Sequence, residues 1–174
     1  MEFTFNIVQA LFDQKRYQEI IDRFDQISDT NKYSLDLYRL IGKSHLALKN
    51  IKDARLYLEK GLAIESNDFE LLKDLGNSYQ AEGNYNLAKI YYEKAILVNP
   101  SYSSALTNLG NIEIRLGNIN QALDLLLKAT QYEPSLGIAW GNLANAYIRL
   151  GQLKKAEDAC RKGIKLSPNL FNSY

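Results

Sequence analysis

Two side chains in this sequence belong to the types that do acid–base or nucleophilic work near neutral pH: the single histidine, His45, and the single cysteine, Cys160. General acid–base catalysis needs a second group within hydrogen-bond reach, and no partner for His45 is evident in the pattern around it. A cysteine nucleophile needs a histidine and an orienting carboxylate beside it, and Cys160 has neither in its neighbourhood. Cys160 falls instead on an apolar helical stripe, where it reads as a small hydrophobe. No phosphate-cradling G-x-x-x-x-G-K-[ST], no H-E-x-x-H and no C-x-x-C occurs. Carboxylates are abundant but scattered among solvent-facing positions. The expected catalytic set is therefore empty, as are the metal and cofactor sets.

Charge narrows the remaining classes. Lys and Arg number 21 against 20 Asp and Glu, a net charge of +1 over 174 residues. Phosphate backbones are held by a basic excess, so nucleic acid is not an expected partner. No run of apolar residues is long enough to cross a bilayer, so membrane insertion is not expected. The opening segment MEFTFNIVQALFDQKR lacks a basic leader and a small-residue cleavage site, and reads as an amphipathic helix. A lone cysteine makes no internal disulfide and agrees with a reducing, cytoplasmic setting.

The elements that position these residues repeat. Pro100, Pro134 and Pro168 are the three prolines, spaced by 34, and Gly83, Gly117 and Gly151 share that spacing. A fixed period of this size marks one supersecondary unit copied along the chain. With proline near its end, the unit gives repeats 35–68, 69–102, 103–136 and 137–170, preceded by a degenerate 1–34. Each reads as two helices. Leu72, Leu75 and Tyr79 stripe the first helix of 69–102; Gly83 breaks it; Tyr85, Ala88, Tyr92 and Ala95 stripe the second. Asn99-Pro100 then ends the pair, since proline lacks a donor and disfavours helix before it. Gly42, Gly76, Gly110 and Ala144 fall in mid-helix, where glycine costs roughly 0.5–1 kcal/mol relative to alanine. That choice predicts a close approach of the partner helix.

These residues resemble the tetratricopeptide repeat family, whose pattern W-x2-L-G-x2-Y, A-x3-F, A, P spans the same period. Leu72, Leu75, Gly76, Tyr79, Ala88, Tyr92, Ala95 and Pro100 meet it, as do Trp140, Leu143, Ala144, Tyr147, Ala156, Cys160, Gly163 and Pro168. The resemblance implies an all-α fold, a right-handed α-solenoid superhelix of five helix-turn-helix units. Departures are localised. His45 and Glu113 stand at the usual tyrosine, His45 being expected to pack into its helix pair, and Ser66 stands at the usual proline. Lys49 replaces the turn glycine, and Asn50 is expected to take the left-handed conformation in its stead. Thr4, Val8, Lys15 and Ile27 are off-pattern, as befits a terminal repeat. Phe171 to Tyr174 occupy the first positions of a sixth repeat, so the chain is expected to be cut from a longer array.

The family's concave face is lined by fixed first-helix positions. Carried over, they nominate Arg39, Lys43, Lys73, Asn77, Asn108, Asn111, Arg115, Asn142, Asn145 and Arg149 as a peptide-binding groove. Asn77, Asn111 and Asn145 recur every 34 residues. Asparagine is a poor helix former because its amide competes for backbone bonds, but one carboxamide both donates to and accepts from a peptide unit. Such a ladder would hold an extended segment of a partner protein. Lys73, Asn77 and Asn108 also match the first three of five residues with which related domains clamp acidic C-termini. Ile138 and Asn142 replace the last two, both cations, so a free acidic C-terminus is not the expected ligand.

Two alternatives accompany this scaffold reading. Phe3, Phe5 and Phe12 leave the first helix apolar around much of its circumference, which predicts an exposed surface for self-association or a homodimer. The charge also runs from −2 over the first repeat to +4 over the fifth, with Lys154, Lys155, Arg161, Lys162 and Lys165 expected to solvate the last helix. The other alternative is a targeting region of a larger enzyme extending past Tyr174.

Overall fold

The computed structural model describes residues 4–24 and 34–168, and these form ten α-helices. Along the chain they are α1 (Phe5–Asp13), α2 (Tyr17–Arg23), α3 (Leu35–Ala47), α4 (Ile51–Ile64), α5 (Phe69–Ala81), α6 (Tyr85–Val98), α7 (Ser103–Leu116), α8 (Ile119–Tyr132), α9 (Gly137–Arg149) and α10 (Leu153–Leu166). Contacts divide the chain inside α6 into an N-terminal unit, Met1–Leu87, and a C-terminal unit, Ala88–Tyr174.

Helix starts and stops follow local chemistry. The Ser34 hydroxyl accepts from the Leu37 N–H at 3.3 Å, and the Asp68 carboxylate accepts from the Leu71 N–H at 2.7 Å. Each cap of this kind contributes about 1 kcal/mol. Gly117 (φ +86°) closes α7 in the left-handed conformation, which glycine alone enters without steric cost. The turn after α3 corrects an expectation. Lys49 itself takes φ +62°, while Asn50 stays at −83° and begins α4. The left-handed residue must sit at the fixed place where the chain reverses, and shifting it by one would rotate every side chain of α4. Lys15 does the same after α1, at φ +59°.

In the N-terminal unit, Val8, Leu11, Ile20, Leu37, Leu40 and Ile41 form a buried cluster contributed by α1, α2 and α3. Fully burying such a side chain stabilises the fold by roughly 1.5–3 kcal/mol. Helix α4 lies close against α3: a Cβ built on Gly42 would stand 2.6 Å from Leu58 Cδ2, against an ordinary carbon contact of about 3.5–4.0 Å. In the C-terminal unit the pair α7–α8 repeats this contact, with a Gly110 Cβ falling 2.7 Å from Leu126 Cγ. Helix α9 then packs onto α8, and α10 onto α9, through a cluster that includes Leu143, Ala144, Ala146 and Ala159. A glycine on the first helix against a leucine on the second thus recurs in α3–α4 and α7–α8.

The expected inward placement of His45 is observed. Its ring is buried and stacked on Tyr57, with centroids 5.3 Å apart and planes 8° apart, and Nδ1 has no hydrogen-bond partner. Burial lowers its pKa below the ordinary 6.5, and the charge of Asp53 only partly opposes this. The folded chain therefore holds His45 neutral where the unfolded chain would protonate it. Stability is complete above about pH 7 and declines as pH falls below the unfolded value of about 6.5, because protons then bind the unfolded chain preferentially. His45→Phe should flatten this decline in urea titrations from pH 7.5 to pH 5, whereas a decline of unchanged slope would show that other groups cause it.

Candidate functional site

The nominated groove residues fall in two places with different chemistry. Within the N-terminal unit, Arg39 and Lys43 lie one turn apart on α3 and face α5. Arg39 Nη1 is 2.8 Å from Asp36 Oδ1, its other terminal nitrogen pairs with Asp68, and its Nε lies 3.8 Å from Glu70. Lys43 Nζ is 2.9 Å from Glu70 and 3.8 Å from Asp74. Lys73 also pairs with Asp74, whose Oδ1 accepts from Asn77 Nδ2 at 3.2 Å. Burial works against the Arg39 charge, but the Asp68 hydrogen bond and the charges of Asp68, Glu70 and Asp36 outweigh it and raise its pKa. Burial likewise acts to raise the Glu70 pKa, and the Lys43 hydrogen bond with the charges of Lys43, Arg39 and Lys73 reverses it. The nominated cations Arg39, Lys43 and Lys73 thus all have carboxylate partners within the chain: Arg39 and Lys43 form a cross-helix lock between α3 and α5, and Lys73 pairs along α5 with its neighbour Asp74.

Beside the lock is a cleft of about 250 Å³. Phe5, Gln9, Phe12 and Asp13 line it from α1, Asp36, Arg39, Leu40 and Lys43 from α3, and Glu70 from α5. This corrects only the expected exposure of Phe5 and Phe12. Phe5 and Phe12 are half-buried against the Val8–Ile41 cluster, and Phe12 meets Tyr17 edge-on at 5.3 Å. Helices α2 and α3 pack against one side of α1. Phe3 lies outside the described residues, as do Ile27 and Phe171–Tyr174.

The C-terminal unit carries the rest. Asn108, Asn111 and Arg115 sit at i, i+3 and i+7 on α7, and Asn142, Asn145 and Arg149 take the same places on α9, which packs beside it. Asn108, Asn111 and Asn142 are half-buried, while Asn145, Arg115 and Arg149 are exposed. Asn111, Asn142 and Asn145 make no side-chain hydrogen bond to another described residue.

Other polar groups serve packing. Glu113, at the tyrosine place of α7, is fully buried; Lys89 Nζ stands 2.7 Å away, and Asn118 Nδ2 donates to its carboxylate at 2.7 Å. Cys160 is half-buried against the α8–α9 core with a free thiol. Among the described residues, no cluster of His, Cys, Asp and Glu could hold a metal ion. None of their helices is long and apolar enough to cross a membrane. The ion pairs escaped sequence reasoning because Asp68 and Glu70 lie 29 and 27 residues beyond Arg39 and Lys43. A search for opposite charges about 30 positions apart on successive first helices would have found them.

Antiparallel helix pairs of constant period, with unpartnered side chains on adjacent first helices, define an α-solenoid of the kind that serves as a protein-interaction scaffold. Tetratricopeptide repeat profiles match residues 69–102 and 137–170, and a further one matches 91–124, together more than half of the sequence. The chain belongs to the tetratricopeptide repeat family. No curated protein sequence is significantly similar to it. Among solved structures it is similar to MamA, with a TM-score of 0.75 at 17% identity over 95% of this chain and 97% of that one. It is also similar to pilF of Pseudomonas aeruginosa (TM-score 0.72, 24% identity, 78% of this chain and 62% of that one). A third is YrrB, described as a TPR protein with an unusual peptide-binding site (TM-score 0.67, 20% identity, 94% and 84%). At these identities the likeness is one of fold.

The α3–α5 lock separates two aspartates by role. Asp68 is buried, caps α5 and pairs with Arg39, whereas the Asp36 side chain is 61% exposed. Asp68→Ala should cost about 2–4 kcal/mol in urea unfolding, through a lost cap and a stranded charge, and Asp36→Ala under about 1 kcal/mol. Equal losses would contradict the lock.

Proposed function

We propose that this chain is a non-catalytic scaffold that holds an extended segment of a partner protein by its backbone on the asparagine face of α7 and α9. One observation carries the reading: Asn111, Asn142 and Asn145 lie at matching places on packed neighbouring helices and are bonded to no other described residue. Each carboxamide accepts from one peptide N–H and donates to one peptide C=O. Arg115 and Arg149, one repeat apart at the end of the same stripes, add charge toward acidic side chains of that segment. The paired cations of the N-terminal unit take no direct part; they hold α3 against α5. The peptide-binding site for which YrrB is described supports a peptide-binding role on this fold. The unbridged, half-buried Cys160 supports a reducing, cytoplasmic setting.

The strength implied is modest. A hydrogen bond of this kind contributes about 0.5–1.5 kcal/mol net, so a face of four or five gives an affinity of about a micromolar when side-chain contacts are added. The test is capture from native lysate with the wild-type chain beside Asn111→Ala/Asn142→Ala/Asn145→Ala, after circular dichroism has shown equal helicity. A captured partner, purified and titrated by calorimetry, should bind the triple variant about 10- to 100-fold more weakly. Unchanged affinity would remove the asparagine face from the binding site.

A further inference from the structure

A second surface lies on the other side of α9. Trp140, Leu143 and Tyr147 occupy i, i+3 and i+7 on this helix, and they are offset from the Asn142–Asn145–Arg149 stripe by two positions, or roughly 200° of helical turn. They floor a groove between the second helices α8 and α10. Two clefts open along it, of about 200 Å³ and 290 Å³, and both include Trp140 and Lys162 in their walls. Each is smaller than the roughly 300–1,000 Å³ of a small-molecule pocket, which suits single side chains.

The groove is apolar at its floor and cationic at its rim. Leu127 on α8 is 42% exposed and Leu166 on α10 is 41% exposed, flanking the tryptophan. Lys155, Lys162 and Lys165 stand along α10, and Asp158 is the single carboxylate among the residues that line either cleft. None of the three lysines has a carboxylate partner among the described residues. Lys162 instead folds over the Trp140 ring, with Nζ 4.3 Å from its centroid, and Lys155 folds over Tyr147 at 5.6 Å. One repeat earlier in the same unit the corresponding places are closed. Leu106 and Glu113 replace the two aromatics, and Lys89 pairs with the buried Glu113. The last helix pair thus presents two aromatic rings where its predecessor has a buried leucine and an internally paired glutamate.

We propose that the α8–α10 groove is a second docking surface, which takes an acidic segment of a partner protein. An apolar side chain of that segment seats against Trp140 in place of Lys162, and its carboxylates pair with Lys155, Lys162 and Lys165. Charge complementarity selects this occupant, because three unpaired cations over an apolar floor match carboxylates separated by apolar residues. A continuous phosphate backbone would call for a larger basic excess than the net +1 of this chain. The surface is independent of the asparagine face, so each can fail without the other.

Trp140 is the single tryptophan and reports its own occupancy. The full chain is titrated with acetyl-Glu-Glu-Phe-Glu-Glu-Leu-Glu-Glu-amide at low salt, following tryptophan emission. The comparison probes are the same peptide with lysine for glutamate, a single-stranded oligothymidine and phosphatidylserine vesicles. A saturable change in emission is expected with the acidic peptide alone. Lys155→Glu/Lys162→Glu should weaken it by about ten-fold or more, while Asn142→Ala/Asn145→Ala leaves it unchanged. Circular dichroism of both variants confirms that the helices persist. Absence of a saturable change, equal binding by the charge-reversed variant, or tighter binding of the oligonucleotide or vesicles would each overturn the proposal.

Discussion

The contact on which the rest of the fold depends is the one between a first helix without a side chain and a leucine of its second helix. At Gly42 and Gly110 the partner leucines stand where a β-carbon would be, 2.6 Å and 2.7 Å from its ideal position. Such an approach brings the helix axes close and leaves the neighbouring positions only one rotational setting that packs. The stripes Leu37–Ile41 on α3 and Leu106–Leu109 on α7 are thereby turned inward. The asparagines of α7 are turned outward by the same rotation. Packing of this kind accumulates from neighbour to neighbour, as in repeat proteins generally, so which side chains reach the surface is a consequence of core geometry.

Charge is handled differently in the two units. Around α3 and α5 the cations meet carboxylates at 2.8–3.8 Å and stabilise the helix pairing. Desolvating such groups is costly unless each has a partner, and here each nominated cation has one. On α7 and α9 neutral carboxamides, Asn111 and Asn145, take the place of Lys43, with no charge to neutralise. A neutral donor–acceptor group loses little on exposure and can exchange water for a peptide bond. The first arrangement holds helices together, and the second leaves Asn111, Asn142 and Asn145 without hydrogen bonds to other described residues.

Much of the fold was legible because it is written in local signals. Proline and glycine recurring every 34 residues marked the helix pairs, and mid-helix glycine marked the close approach. The glycine at 83, 117 and 151 also marked the turns, each with positive φ. Lys49 was misread because propensity favours asparagine in the left-handed region, whereas the position of the turn decides which residue must enter it. The site was less legible. The pairing of Arg39 with Asp68 depends on how α3 and α5 face each other, and side-chain type alone does not carry that information. Phe5 and Phe12 looked exposed because an apolar circumference has no direction until α2 and α3 cover one side of it.

The central claim is that missing side chains, not helix propensity, set the geometry. Alanine for glycine in a helix normally stabilises by roughly 0.5–1 kcal/mol. At Gly110 the new methyl must displace Leu126 at its branch point, which costs about 1–3 kcal/mol. Equilibrium urea unfolding of Gly110→Ala measures which effect prevails. A net loss of about 1–2 kcal/mol is the predicted result. A gain in stability would mean that α7 and α8 have room to spare, and the account built on their close approach would be wrong.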